Sequence, residues 1–95
     1  MNLNAVRSEA LFVSSLQRSE RPTVSQVREV IVRTVRDLGA AGCAARVAQE
    51  FGDHPEAAVA RMRWALRTVA EVYSWDDGYE QHHRTGQLSG APYAS

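Results

Sequence analysis

The feature that most constrains the fold is the spacing of apolar residues in the first half of the chain. They recur at intervals of three and four, at Val24, Val27, Ile31, Val35 and Leu38. This spacing places them on one face of an α-helix, because residues three and four apart lie above one another on a helix. The β-branched run at residues 30–32 alone would favour a strand, but the helical period extends well beyond it on both sides. We therefore predict a helix here.

The residues at both ends support this helix. Thr23 precedes it and Gln26 follows three residues later, which is the pattern of a capping box. At the other end Gly39 is a suitable C-cap, because glycine tolerates the backbone conformation that ends a helix. The sequence therefore predicts a helix over residues 24–38.

A first helix is predicted over residues 4–18. Val6, Ala10 and Val13 repeat at helical spacing, but Leu11 and Phe12 lie about 100° outside that stripe, so the apolar surface nearly encircles the helix. Two interpretations stay open. The helix is buried on two sides within one bundle, or it packs on its own domain and also on a second chain.

A third and a fourth helix are predicted over residues 43–51 and 54–73, joined at Gly52 and capped by Asp53. The third should point Ala44, Val47, Ala48 and Phe51 inward. The inward face of the fourth should carry Ala58, Val59, Met62, Ala65, Leu66, Val69, Val72 and Tyr73.

The length and the breaks in the chain set the domain organisation. Ninety-five residues allow one domain with a modest core. We expect an all-α, four-helix compact bundle over residues 1–75. Four residues interrupt the remainder, at Gly78, Gly86, Gly90 and Pro92. Few aliphatic side chains lie between them, so residues 76–95 are predicted to form a flexible acidic and polar tail.

The segment 44–66, AARVAQEFGDHPEAAVARMRWAL, resembles the helix-turn-helix pair of small bacterial DNA-binding domains. In that family a small residue lies four positions before the turn glycine, as Ala48 lies before Gly52. Apolar residues precede both positions, here Val47 and Phe51. Two features depart from the family pattern. In the family the residue after the glycine is apolar, whereas here it is acidic. The turn in this sequence also appears one residue longer than in the family.

The resemblance implies a small DNA-binding transcriptional regulator. We expect it to be a dimer, because a dimer doubles the contacts that a weakly charged chain can make. The last predicted helix would then enter the major groove. The residues expected to contact DNA are Arg46, Arg61, Arg63 and Arg67. Arginine suits this role because its guanidinium group binds guanine and phosphate.

Trp64 favours an alternative function. It lies about 200° from Met62 on the fourth predicted helix, so the core formed with the second and third helices cannot enclose it. Either the first helix covers it, or it is an exposed anchor for another protein. In the second case the chain is a protein-interaction module, a homodimer or an adaptor for a transcription factor. Its interface would comprise Leu11, Phe12, Ala57, Ala60 and Trp64.

Charge is divided between the two parts of the chain. Residues 1–70 hold ten Arg against seven acidic residues, a net charge of +3, and residues 71–95 hold one Arg against four acidic residues, a net charge of −3. The basic part is only weakly basic for a nucleic-acid-binding protein. A further possibility is that the acidic tail shields the arginine surface, in which case deleting residues 76–95 should strengthen anion binding.

No catalytic, cofactor or metal motif stands out, so we expect no enzyme and no cofactor. His82 and His83 lack the spacing of a closed metal site. Cys43 is the only cysteine and is expected to be a buried structural thiol. The sequence shows neither an apolar run long enough to span a bilayer nor a signal-peptide pattern, which predicts a cytoplasmic protein.

Overall fold

The computed structural model describes the backbone of residues 2–85 and the side chains of residues 2–74. The described chain is all-helical and contains no strand, as predicted. Its elements are α1 (Leu3–Val13), a short 3-10 turn (Arg18–Glu20), α2 (Val24–Asp53) and α3 (Pro55–Thr85).

The start of α2 confirms the predicted capping box. The Thr23 hydroxyl oxygen accepts a hydrogen bond from the Gln26 backbone N–H at 3.1 Å. In return, the Gln26 side-chain oxygen accepts one from the Thr23 backbone N–H at 2.8 Å. Two backbone donors that a helix start leaves without partners are thereby satisfied, which fixes where α2 begins.

Gly39 divides α2 into an N-terminal arm, residues 24–38, and a C-terminal arm, residues 40–53. Its φ of 73° and ψ of 166° are not helical and fall in a region that essentially only glycine occupies. A straight helix of this length would be about 45 Å long. Yet Val24 lines one depression together with Trp64, and Glu50 lines another together with Arg61, one turn away from Trp64 on α3. The chain must therefore double back at Gly39, so that both arms pack against α3.

The helix boundaries differ from the predicted ones in several places. The second and third predicted helices are joined as the two arms of α2, so the bounds give three helices where four were predicted. α1 ends at Val13, several residues before the predicted end, because the backbone of residues 14–17 leaves the helix. Only His54 separates α2 from α3, and Asp53 belongs to the last turn of α2.

α3 continues to Thr85, well past the predicted end near Tyr73. The predicted flexible tail, residues 76–95, thus begins within a segment whose backbone is helical. Residues 86–95 lie outside the described part of the chain.

One core joins all the helices. Its buried apolar residues are Ala10, Leu11, Phe12, Val27, Val30, Ile31, Cys43, Ala58, Trp64, Ala65, Val69, Val72 and Tyr73. Four residues that were predicted to point inward are instead exposed, namely Ala44, Ala48, Val59 and Leu66. Those predictions were wrong, because α1 and the N-terminal arm of α2 cover only one side of the pair formed by the C-terminal arm and α3.

Candidate functional site

Arg61 on α3 caps the C-terminal end of α1. Its Nε donates a hydrogen bond to the Phe12 carbonyl oxygen at 2.6 Å. Its Nη2 lies within hydrogen-bond distance of three more carbonyl oxygens, those of Leu11 at 3.2 Å, Ser14 at 2.9 Å and Leu16 at 2.9 Å. The last turn of α1 contains no basic residue of its own. Arg61 therefore supplies the positive charge that a helix C-terminus favours and the donors that its carbonyl groups need.

The surroundings of Arg61 are partly desolvated. Its guanidinium carbon lies 5.0 Å from the centre of the Trp64 ring, within the range of a cation–π interaction. Burial lowers the pKa of Arg61 from its ordinary value, because the charged form loses contact with water. Arg61 was predicted to contact DNA, but its donors are directed at the backbone of its own chain.

The other three arginines predicted to contact DNA are exposed, but the four arginines do not form one surface. Arg46 lines a depression beside α1, together with Phe12, Ala57 and Arg61. Arg63 and Arg67 lie one turn apart on the side of α3 that faces away from the core. The structure thus divides the predicted set between the α1 side and the outer side of α3.

The predicted protein interface is also divided. Leu11 is fully buried and Phe12 is 4% exposed, while Ala57 and Ala60 are exposed. The Phe12 ring stacks on that of Phe51, with 6.0 Å between the ring centres. This contact belongs to the core of a single chain, which favours the interpretation that α1 is buried within its own domain.

Trp64 is only 8% exposed. It lies beside Arg18 in the 3-10 turn and beside Val24 at the start of α2. The segment that links α1 to α2 therefore borders the same depressions as the ring, a proximity that helical spacing alone does not reveal. The part of the interface prediction that requires an exposed Trp64 is not met in this chain.

Two further arginines surround Tyr73. The guanidinium carbon of Arg7 lies 3.8 Å from the centre of the Tyr73 ring, and that of Arg28 lies 4.9 Å from it. Arg28 also donates a hydrogen bond from Nη2 to the Val72 carbonyl oxygen at 3.3 Å. Because Arg7 is on α1 and Arg28 on α2, this cluster connects all three helices and gives these arginines a structural role.

An exposed apolar surface lies across the C-terminal arm of α2 and α3. We call it the outer face and define it by six residues, Ala44, Val47, Ala48, Val59, Met62 and Leu66. Val47 and Met62 are partly buried and pack against the core. Val59 is 39% exposed and Leu66 is 51% exposed. Large exposed apolar side chains thus lie next to partly buried ones that pack against the core.

The helical register shows that these residues share one side. The C-terminal arm and α3 run antiparallel, because one residue joins them and Arg46 and Glu50 of the arm line the same depression as Ala57 and Arg61 of α3. Around the axis of the C-terminal arm, Arg46 is rotated by about −60° from the buried Cys43. Around the axis of α3, Arg61 is rotated by the same angle from the buried Ala58. Both point toward α1.

Rotation in the opposite sense leads to the outer face. Ala44 and Ala48 lie at about +100° and +140° from Cys43, and Val59 and Leu66 at about +100° and +80° from Ala58. In an antiparallel pair, equal rotations from the buried faces reach the same side. The outer face is therefore a single surface, opposite α1.

Cys43 is buried, as predicted. Burial, chiefly, raises the pKa of its thiol, with a further contribution from the negative charge of Glu9 that Arg46 partly offsets. The thiol is therefore held in its protonated, unreactive form. Among the described residues, no group of His, Cys, Asp or Glu side chains is arranged to hold a metal ion. In the same part of the chain, no helix is both long and apolar enough to cross a membrane.

Comparison with known proteins adds no assignment. No protein-family model matches the sequence, and no curated protein or solved structure matches it. The resemblance to helix-turn-helix domains therefore stays a prediction, and the geometry of the outer face is what bears on function.

Proposed function

We propose that this chain is a helical protein-interaction module whose outer face receives an apolar helix of a partner. The main observation in support is that Val59 and Leu66 are exposed beside Met62, which is partly buried and packs against the core. Their spacing of three, four and seven residues is the spacing at which a helix presents anchor residues to a partner.

The small residues opposite support the same function. Ala44 and Ala48 on the C-terminal arm of α2 are exposed and one turn apart. Their methyl groups allow another helix to approach the backbone closely. Large side chains on α3 and small ones on α2 together form a stepped surface, into which the ridge of an incoming helix can pack.

Arg63 and Arg67 border this surface on α3, and both are exposed. A partner with carboxylate groups beside its apolar stripe would form ion pairs with them. Such pairs at the edge of an interface contribute mainly to association rate and specificity, because water screens them. The apolar contacts at Val59 and Leu66 would supply most of the affinity.

A photo-crosslinking amino acid at position 66 tests this proposal in the native host. The matched control is position 32, because Val32 is 61% exposed but lies on the N-terminal arm of α2, away from the outer face. We expect a defined covalent adduct from position 66 and none from position 32. Equal adducts at both positions, or none at position 66, would reject the proposal.

DNA binding is a second candidate, favoured by the exposure of Arg63 and Arg67 one turn apart on a long helix. Binding through phosphate contacts must weaken steeply as salt concentration rises, because counterions are released. Replacing both arginines with Ala should then reduce both the affinity and the salt dependence. Absence of duplex binding at low salt would exclude this candidate.

A further inference from the structure

The two helices of the outer face carry side chains of different size at matching intervals. On α3, large apolar side chains follow one another after three and then four residues, at Val59, Met62 and Leu66. On the C-terminal arm of α2, exposed alanines follow the same two intervals, at Ala41, Ala44 and Ala48. Around the axis of the arm, Ala41 is rotated by about +160° from Cys43, so it lies on the same side as the other two alanines. A row of large side chains therefore runs beside a row of small ones.

The two rows also match in height along the helix pair. Only His54 separates the two antiparallel helices, so residues equally distant from it in the sequence lie at about the same height. Val59 lies five positions after His54, and Ala48 lies six positions before it. Leu66 lies twelve positions after His54, and Ala41 lies thirteen before it. Each of these large side chains thus has a small one within about 1.5 Å of its own height.

We propose that the helix which the outer face receives is α3 of a second copy of this chain, related by a two-fold axis that runs parallel to the helix pair above the outer face. This inference rests on the proposed function and names its partner. A half-turn about this axis exchanges the positions of α3 and the C-terminal arm without changing any height. Each α3 then lies antiparallel on the arm of the other copy, with Val59 on Ala48 and Leu66 on Ala41. Both contacts occur twice, as in closed dimers.

The sizes of the side chains favour this axis over one that crosses the helices at a right angle. A perpendicular axis would place α3 on α3, with Val59 on Leu66 and the alanines of the two arms facing one another. Large side chains would then hold the α3 helices apart, and the gap between the arms would stay open. In the proposed arrangement large side chains pack on small ones at both contacts, which lets the helices approach closely.

The arginines at the edge of the outer face are compatible with the second copy. Around the axis of α3, Arg63 and Arg67 are rotated by about +140° and +180° from Ala58. The corresponding edge of the arm, which meets them in the dimer, carries only uncharged residues, namely Ala41, Ala45, Gln49 and Gly52. The carbon chains of the arginines can cover these small residues while the guanidinium groups stay in water. We therefore expect the dimer to depend little on salt concentration.

The size of the outer face indicates a dimer that forms reversibly. The face is two helices wide, about 20 Å, and it extends for the length of residues 40–53, which is about 20 Å. Each copy therefore contributes roughly 400 Å², and the two copies together roughly 800 Å². This total is at the lower end of the range for protein interfaces, where transient complexes lie. We expect dimers at high protein concentration and monomers on dilution.

An exchange of large and small side chains tests the pairing. The first variant, Val59→Ala with Leu66→Ala, makes both rows small. The second variant, Ala41→Leu with Ala48→Val, makes both rows large. All four positions are exposed in the single chain, so circular dichroism should show the same helix content in both variants as in the unmodified chain.

Sedimentation equilibrium from micromolar to millimolar protein gives the readout. The unmodified chain should approach the dimer mass at the upper end, equally at low and high salt. Each variant alone should stay monomeric, since small rows leave gaps and large rows collide. The equimolar mixture should regain the dimer mass, because each large row then meets a small row. A mixture that stays monomeric, or a variant that dimerises alone, would overturn the proposed pairing.

A disulfide between copies tests the same contact directly. In a Cys43→Ala background, a chain with Ala48→Cys and a chain with Val59→Cys should become linked when they are mixed under mild oxidation, because the two positions face each other. Neither chain should link to itself. The matched control replaces Val59→Cys with Val32→Cys, since Val32 is 61% exposed but lies on the N-terminal arm of α2. Equal linkage with the control would contradict the proposed contact.

The two proposals can fail separately. A monomer at every concentration, together with no disulfide in the mixture, rejects the second copy. If the crosslinker at position 66 then captures a different protein, and the one at position 32 does not, the proposed function stands with another partner. If position 66 captures nothing, both proposals are rejected.

Discussion

Replacing Arg61 with Ala should destabilise the fold far more than replacing another arginine of the same helix. Arg61 reaches four carbonyl oxygens at the end of α1 and in the linker that follows it. A hydrogen bond from a charged donor contributes about 1.5–3 kcal/mol. Nη2 has only two hydrogens for three of these oxygens, and water can reach the partly exposed helix end. We therefore count the equivalent of one to two full bonds, a loss of about 2–4 kcal/mol.

Thermal unfolding monitored by circular dichroism measures this loss. For a domain of this size each kcal/mol shifts Tm by about 4–8 °C, so Arg61→Ala should lower Tm by at least about 8 °C. The matched control is Arg63→Ala, which removes an exposed side chain two positions away and should change stability by no more than about 0.5 kcal/mol. Arg61→Lys should fall between them, because an ammonium group keeps the charge but not the planar set of donors. Equal Tm values for Arg61→Ala and Arg63→Ala would refute the capping role.

Three further predictions concern single positions. In a urea titration Gly39→Ala should lower the free energy of unfolding by about 1–3 kcal/mol, entirely through backbone strain, because a Cβ there would meet no atom within 4 Å. The control is Gly52→Ala, where a Cβ is equally unobstructed but the backbone is helical. This variant should be as stable as the unmodified chain or more stable. Trp64→Ala should lower the free energy of unfolding by about 3–5 kcal/mol, because it removes a ring from the core; a variant as stable as the unmodified chain would show that the ring is not packed. Stability should fall as pH rises above the ordinary thiol pKa of 9.0, because the unfolded chain then releases the Cys43 proton while the folded chain retains it. This alkaline loss should be absent from Cys43→Ala.

Local sequence signals predicted the parts of the fold that depend on local interactions. The start of α2 follows from the hydrogen bonds that Thr23 and Gln26 exchange, three residues apart. The break at Gly39 follows from the conformational freedom of glycine. The burial of most of one face of α3 follows from helical spacing. None of these requires knowledge of how distant segments meet.

Contacts between distant segments account for what the sequence did not reveal. Arg61 lies 45 to 50 residues from the carbonyl groups that it caps, so nothing in its own neighbourhood distinguishes it from Arg63 or Arg67. Trp64 is buried in a core that residues of α1 and of the N-terminal arm of α2 complete, and its own neighbourhood in the sequence does not indicate which distant elements surround it. One signal was available for the cap, since α1 has no basic residue in its last turn and its carbonyl groups need a donor from elsewhere.

The exposed residues of the outer face have a similar explanation. Helical spacing identifies Val59 and Leu66 as part of an apolar face. It does not show whether another segment of the same chain packs over that face. Here one chain covers α3 only from the side of α1 and the N-terminal arm of α2. The same apolar period therefore continues from the core onto the surface, where we propose that a second helix completes it.

The most direct test of this account is the labelling of exposed apolar side chains by a photolysed diazirine, with Leu66 compared with Val32. Both are more than half exposed in the single chain, at 51% and 61%. In dilute purified protein both should be labelled. In extract of the native host, at the native protein level, labelling of Leu66 should fall several-fold while that of Val32 is unchanged. Equal labelling of the two side chains in the extract would contradict the claim that the outer face is an interface.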